Sequence, residues 1–566
     1  MNPSKIYQPK LFKIFRYKKY SASMLREDLI AGIIVGIVAL PLAIAFGIAS
    51  GVTPQQGLIT AIVAGFLISL LGGTRFLIGG PTGAFIVIVA GIIGQYGLGG
   101  LTIATIMAGV ILIVMGLCKL GIVFKFMPYP IIVGFTSGIA VTLVTTQVKD
   151  FFGMTAVQVP SGFIPQIGCY LSNLSQISLT ETIASVIALA IIFFWGRVTK
   201  KIPGSLVAII FCTFAALLLD RFAGLHLATI GDKFPELSGG MTFPKPQFPE
   251  MSFQTIRGLV SPAITIALLA AIESLLAASV TDGVTGRHHD SNAELIGEGI
   301  ANIVTPLFGG IPATGAIART MANINNGGKS PVAGIVHAVT LLLIYLFLMP
   351  YAIYIPLSCL AAILVMVAYN MSEWRTFVYL MKSDKQTIAV LLTTFLLTVI
   401  IDLTVAIEVG VILAIVLFLT RVMQTSSIDV LDAHKVAASE DEEANPEDTP
   451  MLDIPEGVEV YEVNGPYFFG MANKFEEFEH RAKKNTKVRI IRMRRVPFID
   501  ATGAHNLSSL CDRIIKRGTR VILSGVQPDV RESLKKYGID KVIGEEYILP
   551  HITPALEKAK EVLRSC

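Results

Sequence analysis

Two isolated charges in apolar stretches of this 566-residue chain indicate a polar site inside a hydrophobic layer. Glu273 lies near the middle of the apolar segment 261–280, and Arg319 lies five residues after Thr314 in a short apolar segment. A charge at mid-membrane costs about 2.5–3.5 kcal/mol on insertion scales, so it needs a cavity, a partner or a proton. Glu273 is therefore a candidate for binding H⁺ or coordinating Na⁺, and Arg319 for binding an anion. The structural alternatives are a hydrogen bond from Glu273 to a neighbouring helix and a capping role for Arg319.

A short motif occurs twice and breaks the apolar region in the same way. Residues 79–85 read GGPTGAF and residues 309–317 read GGIPATGAI, and each is followed by an apolar run too short to span a bilayer. Matched breaks in two halves of a membrane protein are typical of a transporter's substrate site, and two half-helix N-termini favour an anion. The offset of 230 residues between Gly79 and Gly309 makes Ala43 of the first segment equivalent to Glu273 of the eighth.

The composition indicates a multi-pass membrane protein, because 53% of the residues are hydrophobic and only 15% are charged. The apolar stretches are concentrated in residues 29–421, which we predict to be the transmembrane domain, with repeat 1 at about 29–220 and repeat 2 at about 261–421. The fourteen predicted segments are 29–50, 57–73, 83–96, 101–118, 128–147, 180–196, 203–219, 261–280, 293–308, 314–325, 330–349, 355–370, 386–401 and 404–420.

The positions of lysine and arginine predict the orientation. Residues 1–28 form a basic N-terminus, which the positive-inside rule places in the cytoplasm. Counting segments from there, the short inner loops hold many basic residues, whereas the short outer loops hold only Lys149. An even number of segments returns the C-terminus to the cytoplasm, so we expect a protein of the cytoplasmic membrane. The net charge of +5 then reflects inner loops that face anionic lipid, and nucleic acid is not an expected partner.

The C-terminal part has a different character. Residues 422–450 are predicted to be an acidic linker, and residues 451–566 a cytoplasmic α/β domain. Its predicted strands are 458–463, 487–493 and 519–526, and its predicted helices are 475–484, 504–516, 529–537 and 554–563. The six cysteines have no CxxC spacing, so we expect neither a metal site nor a disulfide framework, and no other motif indicates a cofactor.

Longer stretches carry a family resemblance. They are ALPLAIAFGIASG (39–51), the break GGPTGAF, AAIESLLAASVTDGVTG (270–286) and ANIVTPLFGGIPATGAIART (301–320). With them the chain resembles the SulP family of anion transporters, the sulfate permeases, over almost its whole length. The tail resembles a STAS domain, centred on PFIDATG (497–503). The resemblance implies seven plus seven inverted segments, a core and a gate domain, half-helices 3 and 10, elevator-type alternating access and a homodimer.

The resemblance also implies which residues act. Glu273 matches the acid of the eighth helix that is linked to cation coupling. The implied anion-binding positions belong to the first, third and tenth helices: Phe46, Thr82, Gly83, Ala84, Thr314, Gly315, Ala318 and Arg319. Some relatives that take up bicarbonate with Na⁺ carry Asp at the Glu273 position and Thr one turn later, where this chain has Ala277. With fewer oxygen ligands, H⁺ is favoured over Na⁺ as the coupling ion.

In the tail, Thr502 follows Asp500 and Ala501 where soluble STAS relatives carry a phosphorylated serine. Thr502 is therefore a possible regulatory residue, although capping of the following helix is the simpler interpretation. A cytoplasmic protein is a possible partner of this domain.

These observations together predict a secondary active transporter of inorganic anions, most of all sulfate, driven by H⁺ symport or by exchange. Bicarbonate and C4-dicarboxylates are alternative substrates within the same family. An uncoupled anion channel is the alternative from a different class, and the titratable Glu273 argues against it. No nucleophile, metal or cofactor motif indicates an enzyme. The expected partners are a small anion, the lipid bilayer and a second copy of the chain.

Overall fold

The computed structural model describes residues 7–17, 20–121, 128–154, 157, 159–160, 162–199, 203–238, 243–247, 253–401, 403–431, 454–471 and 485–565. The chain divides into two compact units, Met1–Ala414 and Ile415–Cys566. The first unit contains apolar helices, and the second contains a five-stranded sheet with helices.

Helices form nearly all of the regular structure in the first unit. In chain order the described α-helices are α1 (Lys10–Arg16), α2 (Ala22–Ala49), α3 (Pro54–Leu71), α4 (Phe85–Leu117), α5 (Tyr129–Phe151), α6 (Phe163–Ser172), α7 (Leu179–Val198), α8 (Gly204–Ala223), α9 (Ile230–Lys233), α10 (Phe253–Gly258), α11 (Val260–Thr285), α12 (Ser291–Val304), α13 (Ile317–Asn325), α14 (Val332–Leu348), α15 (Leu357–Met371), α16 (Trp374–Leu380), α17 (Lys385–Ile400) and α18 (Leu403–Thr425). The last of these crosses the boundary between the two units.

The fourteen predicted membrane segments fall on thirteen of these helices, so the prediction that they are helical is confirmed. The third and fourth segments are the two parts of α4, which are separated at Gly97 by a left-handed φ of 68°. Within the described ranges, ten helices are long and apolar enough to cross a membrane. Their outer faces are apolar as well: on α7 and α8, four phenylalanines (Phe193, Phe194, Phe211 and Phe214) are each more than half exposed. Such faces suit contact with lipid chains.

The N-terminal boundary of the membrane unit differs from the prediction. Helix α2 begins at Ala22, where the Ser21 side chain caps it, and residues 22–28 therefore belong to the first long helix. Asp28 is fully buried, and its carboxylate accepts hydrogen bonds from the backbone N–H groups of Lys329 (2.6 Å) and Ser330 (3.1 Å). The carboxylate thus stabilises the backbone just before α14. The polar sequence of residues 22–28 concealed the burial of Asp28.

The long helices pack in two groups. Helices α2, α3, α4, α11, α12 and α14 pack mainly against one another, with α13 against α2 and α11. Helices α5, α7, α8, α15 and α17 form the second group. Small residues permit the closest approach: a Cβ on Gly109 of α4 or on Gly299 of α12 would lie 2.6 Å from the backbone oxygen of the other glycine. We call the first group of helices the core group and the second the gate group. They match the core and gate domains that the family resemblance implies.

The two sequence breaks meet inside the core group. Strand β1 (Gly79–Gly80) pairs antiparallel with β2 (Thr314–Gly315), with Gly79 opposite Gly315. The N–H of Ala316 extends this ladder by donating to the carbonyl of Ile78 at 2.9 Å. Helix α4 begins five residues after β1, and α13 begins two residues after β2. Helices α4 and α13 therefore both start next to one shared pair of strands.

The second unit is an α/β domain. Its sheet has the order β3-β4-β5-β6-β7, with β3 antiparallel to β4 and the other neighbours parallel. The strands are β3 (Ser427–Leu431), β4 (Val458–Asn464), β5 (Val488–Arg495), β6 (Arg520–Ser524) and β7 (Ile548–Leu549). The described helices are α19 (Ala501–Lys516), α20 (Pro528–Lys536), α21 (Ile539–Ile543) and α22 (Ile552–Ser565). Separate hydrophobic clusters cover the two faces of the sheet, as alternating strands and helices require.

Two predictions for this unit need correction. Residues 422–450 do not begin as a linker, because α18 continues to Thr425 and β3 forms an edge strand. The cap of α19 is Asp500 and not Thr502: the Asp500 carboxylate accepts from the N–H of Gly503 at 2.6 Å, while Thr502 is exposed in the first turn. The acidic run 434–450 and the predicted helix 475–484 lie outside the described residues.

Candidate functional site

A cavity of about 300 Å³ lies between the core group and the gate group, next to the paired breaks. The core wall comes from α2, α11 and the two breaks, and the gate wall comes from α5 and the end of α15. Seven of the nine residues predicted for binding or coupling line this cavity: Phe46, Thr82, Gly83, Glu273, Gly315, Ala318 and Arg319. The tertiary structure therefore brings together residues that are more than 200 positions apart in the chain.

The other two predicted residues lie behind the cavity wall. Ala84 and Thr314 are fully buried and do not line the cavity. The Thr314 hydroxyl donates to the carbonyl of Ala270 at 3.0 Å and lies 2.9 Å from the Ser274 hydroxyl. Their side chains are thus supporting groups of the two breaks, without direct access to the cavity.

Arg319 of α13 holds the first break in place. Its guanidinium is 2% exposed and donates to the carbonyl of Gly79 at 3.4 Å and to the carbonyl of Pro81. Gly80 has a φ of 150°, and a Cβ there would lie 2.3 Å from the Arg319 Nη1 atom, so only glycine fits. Among the described residues, the hydrogen-bond acceptors of the Arg319 guanidinium are carbonyls and not carboxylates. The positive charge therefore remains available to an anion in the cavity.

Glu273 of α11 is bonded to the first break and reaches the cavity. Its Oε2 atom accepts a hydrogen bond from the Thr82 hydroxyl at 2.9 Å. The residue is partly exposed, and its charge interacts with that of Arg319. A carboxyl group in this position can hold either a proton or a negative charge beside a bound solute, and its protonation state changes the local electrostatic field.

The starts of α4 and α13 also border the cavity. No side-chain cap bonds to the first turn of α4 or of α13 within the described residues. The first N–H groups of an α-helix have no partner inside the helix, and they carry partial positive charge. In α4 the N–H groups of Phe85 and Ile86 donate to the carbonyls of Thr82 and Gly83, so α4 offers the cavity its dipole more than free donors. Gly83 and Ala318 bring these two helix starts to the cavity wall. The arrangement suits a negatively charged solute.

A network of buried polar side chains behind the second break was not predicted. Ser274 accepts a hydrogen bond from the N–H of Gly315 at 2.7 Å and donates to Glu298 of α12 at 2.8 Å. Asn302 pairs with both backbone groups of Ala313, at 2.9 Å and 2.8 Å. The sequence did contain a signal, since Glu294 and Glu298 are two carboxylates within the predicted membrane segment 293–308.

The gate side of the cavity contributes residues that sequence reasoning did not identify. Thr136 of α5, Asn370 and Met371 at the end of α15, and Glu373 just before α16 line the cavity. Glu373 has a left-handed φ of 44°, and the hydroxyl of Tyr129 donates to it at 3.2 Å. No spacing pattern marks these positions in the sequence, because they reach the cavity only through the packing of the two groups.

Comparison with known proteins identifies the family. The sequence profile of the Sulfate permease family matches residues 25–394, and that of the STAS domain matches residues 449–559. The chain therefore belongs to the sulfate permease family. It is a multi-pass membrane transporter of anions with a C-terminal STAS domain, and not an enzyme.

Individual relatives cover nearly the whole chain. YvdB of Bacillus subtilis, a candidate sulfate transporter by name, is 41% identical over 95% of this chain and 98% of its own length. The bicarbonate transporter BicA of Picosynechococcus sp. is 32% identical over 94% of both chains. The structure of the murine anion transporter Slc26a9 matches with a TM-score of 0.86, covering 99% of this chain and 94% of that one at 18% identity. This last likeness shows the fold.

Proposed function

We propose that this protein is a secondary active transporter that carries sulfate across the cytoplasmic membrane by H⁺ symport or by anion exchange. The observation that carries the proposal is the cavity at the paired breaks, where Arg319 and Glu273 lie beside the starts of α4 and α13. The likeness to YvdB supports sulfate as the substrate.

In this proposal the anion is bound by positive charge and hydrogen-bond donors. Arg319 supplies a full charge and the start of α13 supplies backbone N–H groups, whereas the one proton of the Thr82 hydroxyl is donated to Glu273. Glu273 would repel a dianion when it is ionised, so electrostatics favour binding of the anion together with a proton on Glu273. The two solutes then cross together, which is the basis of H⁺ symport. Na⁺ near Glu273 is the alternative coupling ion.

The division into two helix groups supports elevator-type alternating access. The core group carries both breaks, Arg319 and Glu273, while the gate group supplies the opposite wall. A movement of the core group along the gate group would carry the whole set of ligands without taking it apart. We further propose that the protein is a homodimer with both termini in the cytoplasm.

Bicarbonate is the second candidate substrate, because BicA is 32% identical over almost all of both chains. The same donors would bind a monovalent oxyanion. Ala277, which is buried in α11 one turn after Glu273, offers no side-chain oxygen for a cation. This favours H⁺ over Na⁺ for either anion.

Uptake by the purified full-length protein in proteoliposomes tests the proposal. Radiolabelled sulfate, bicarbonate and fumarate are each supplied with an H⁺ gradient, an Na⁺ gradient or neither. We expect sulfate to accumulate with the H⁺ gradient and to exchange across the membrane without it. Uptake of bicarbonate but not sulfate would support the second candidate, and downhill flux without accumulation in any gradient would indicate a channel.

The variant Glu273→Gln tests the coupling role. It should abolish H⁺-driven accumulation and preserve sulfate binding and exchange, because the amide can still accept from Thr82 but cannot release a proton. Glu408→Gln on α18 is the matched control, since Glu408 is an exposed acid in the membrane region and does not line the cavity. Full H⁺-driven accumulation by Glu273→Gln would contradict the assignment.

A further inference from the structure

The short helix α1 presents exposed aromatic side chains before the first membrane helix. Phe12 is 55% exposed and Phe15 is 50% exposed, whereas Leu11 and Ile14 are buried. Phe12 and Phe15 are three residues apart and therefore share one side of the helix, as Leu11 and Ile14 share another. Lys10, Lys13 and Arg16 occupy the remaining positions apart from these apolar residues. The helix is thus amphipathic with a buried, an aromatic and a basic side.

Hydrogen bonds and one ion pair attach α1 to two loops of the core group. The N–H of Lys10 donates to the carbonyl of Gly72, after α3, at 2.9 Å. The Lys10 ammonium donates to the carbonyl of His288, between α11 and α12, also at 2.9 Å. Lys13 lies 3.5 Å from the carboxylate of Asp290. These bonds to the core group therefore determine the orientation of α1. Its aromatic side points outward because of them, and not because the helix lacks contacts.

The aromatic side of α1 continues into the apolar outer surface of α2. The ring of Phe15 lies 5.1 Å from that of Tyr20, and the Tyr20 hydroxyl donates to Asp28 inside α2. From there Leu29, Ile30 and Ile33 of α2 are each more than 40% exposed, as lipid-facing residues of a membrane helix are. Positive charge accompanies this surface at Arg16, which is exposed, and at Arg26.

We propose that α1 lies in the interfacial layer of the bilayer, with Phe12 and Phe15 among the lipid chains and Arg16 at the headgroups of anionic lipid. The apolar continuity with α2 selects lipid as the occupant, and the basic side selects an anionic headgroup. Because α1 is bonded to the loops after α3 and between α11 and α12, α1 connects lipid bound there to the helix group that carries Arg319 and Glu273.

Tryptophan fluorescence tests this position directly. The chain contains only two tryptophans, so Trp195→Phe with Trp374→Phe gives a background without tryptophan in which Phe12→Trp or Phe15→Trp is the only probe. The full-length protein is reconstituted in vesicles of phosphatidylcholine and phosphatidylglycerol, with bromine on the chains of one lipid at a time. We expect a short-wavelength emission maximum, loss of most emission with brominated lipid, and protection from iodide.

The matched control is Phe498→Trp, because Phe498 is similarly exposed, at 52%, but lies in the α/β unit. This probe should be quenched by iodide and unaffected by brominated lipid. Iodide quenching of both α1 probes without lipid quenching would overturn the proposal, whatever anion the protein transports.

The headgroup assignment has its own readout. At equal mole fraction, brominated phosphatidylglycerol should quench the Phe15→Trp probe more strongly than brominated phosphatidylcholine, and adding Arg16→Gln should make the two equal. Equal quenching before Arg16 is changed would contradict the role of an anionic headgroup.

Discussion

The two breaks at residues 79–85 and 309–317 are similar in sequence but are held in place differently. The first is bonded through its carbonyls to the Arg319 guanidinium. The second is bonded to Ser274 and Asn302, which use its backbone N–H and C=O groups. The repeated motif thus supplies extended backbone twice, and the neighbouring helices make the two halves unequal. The second half contributes the Arg319 guanidinium, and the first contributes the Thr82 hydroxyl that donates to Glu273.

Removal of the guanidinium should have the largest effect. Arg319→Ala leaves the carbonyls of Gly79 and Pro81 without their donor and removes the positive charge from the cavity. Loss of one partner of a buried charged pair costs about 2–5 kcal/mol, so we expect sulfate affinity to fall by roughly 30-fold or more. Binding of radiolabelled sulfate to detergent-solubilised protein measures the change.

Arg319→Lys is the control for charge without the planar fork. It should retain part of the affinity, because lysine keeps the charge but cannot donate to both carbonyls and the anion in the same geometry. Wild-type affinity in Arg319→Ala would show that the cavity does not hold the anion through this residue.

The glycines of the two breaks should respond unequally to substitution. Gly80→Ala places a Cβ against the Arg319 guanidinium, in addition to its unfavourable φ of 150°. Gly309→Ala has only an unfavourable φ of 79°, with no heavy atom within 4 Å of the new Cβ. We expect a loss of about 2–3 kcal/mol in stability for Gly80→Ala and about 1 kcal/mol for Gly309→Ala. Thermal unfolding in detergent compares the two, and equal losses would contradict contact with Arg319 as the cause.

Ser274→Ala tests how the second break is held. It removes the acceptor of the Gly315 N–H and the donor to Glu298, all of which are buried. Buried polar groups without partners cost about 1–3 kcal/mol, and thermal unfolding should show a loss in this range. Ser279→Ala on the same helix is the control, because the Ser279 hydroxyl donates to the carbonyl of Leu275 in its own helix. If both variants were equally stable, the bond from Gly315 to Ser274 would not be what holds the break.

The smallest effect is expected at Thr82. Thr82→Val keeps the shape of the side chain and removes the hydroxyl that donates to Glu273 at 2.9 Å. A single hydrogen bond of this kind contributes about 1 kcal/mol, so H⁺-driven sulfate uptake should fall about fivefold. Thr82→Ser should restore it, and identical rates for Val and Ser would place this hydroxyl outside the transport step.

Several features were predictable from sequence because they depend on neighbouring residues in the chain. The apolar segments follow from local hydrophobicity, and even the division of α4 at Gly97 appeared as two separate segments. The edge strand β3 was missed, because Ser427–Leu431 is too short and polar to predict without its partner β4. The start of α2 was misplaced for a related reason: Asp28 is stabilised by Lys329 and Ser330, some 300 positions away.

The candidate site shows the same difference between features set by neighbouring residues and features set by distant ones. Glycine and proline, together with isolated charges in apolar segments, determined from sequence alone where the helices break and which charged residues lie near the breaks. Only the tertiary structure decided that β1 pairs with β2, that Arg319 bonds to the opposite break, and that Ala84 and Thr314 lie behind the wall. Hydrophobicity and backbone preference act over a few residues, whereas these contacts join segments about 240 positions apart and exist only once the helices have packed.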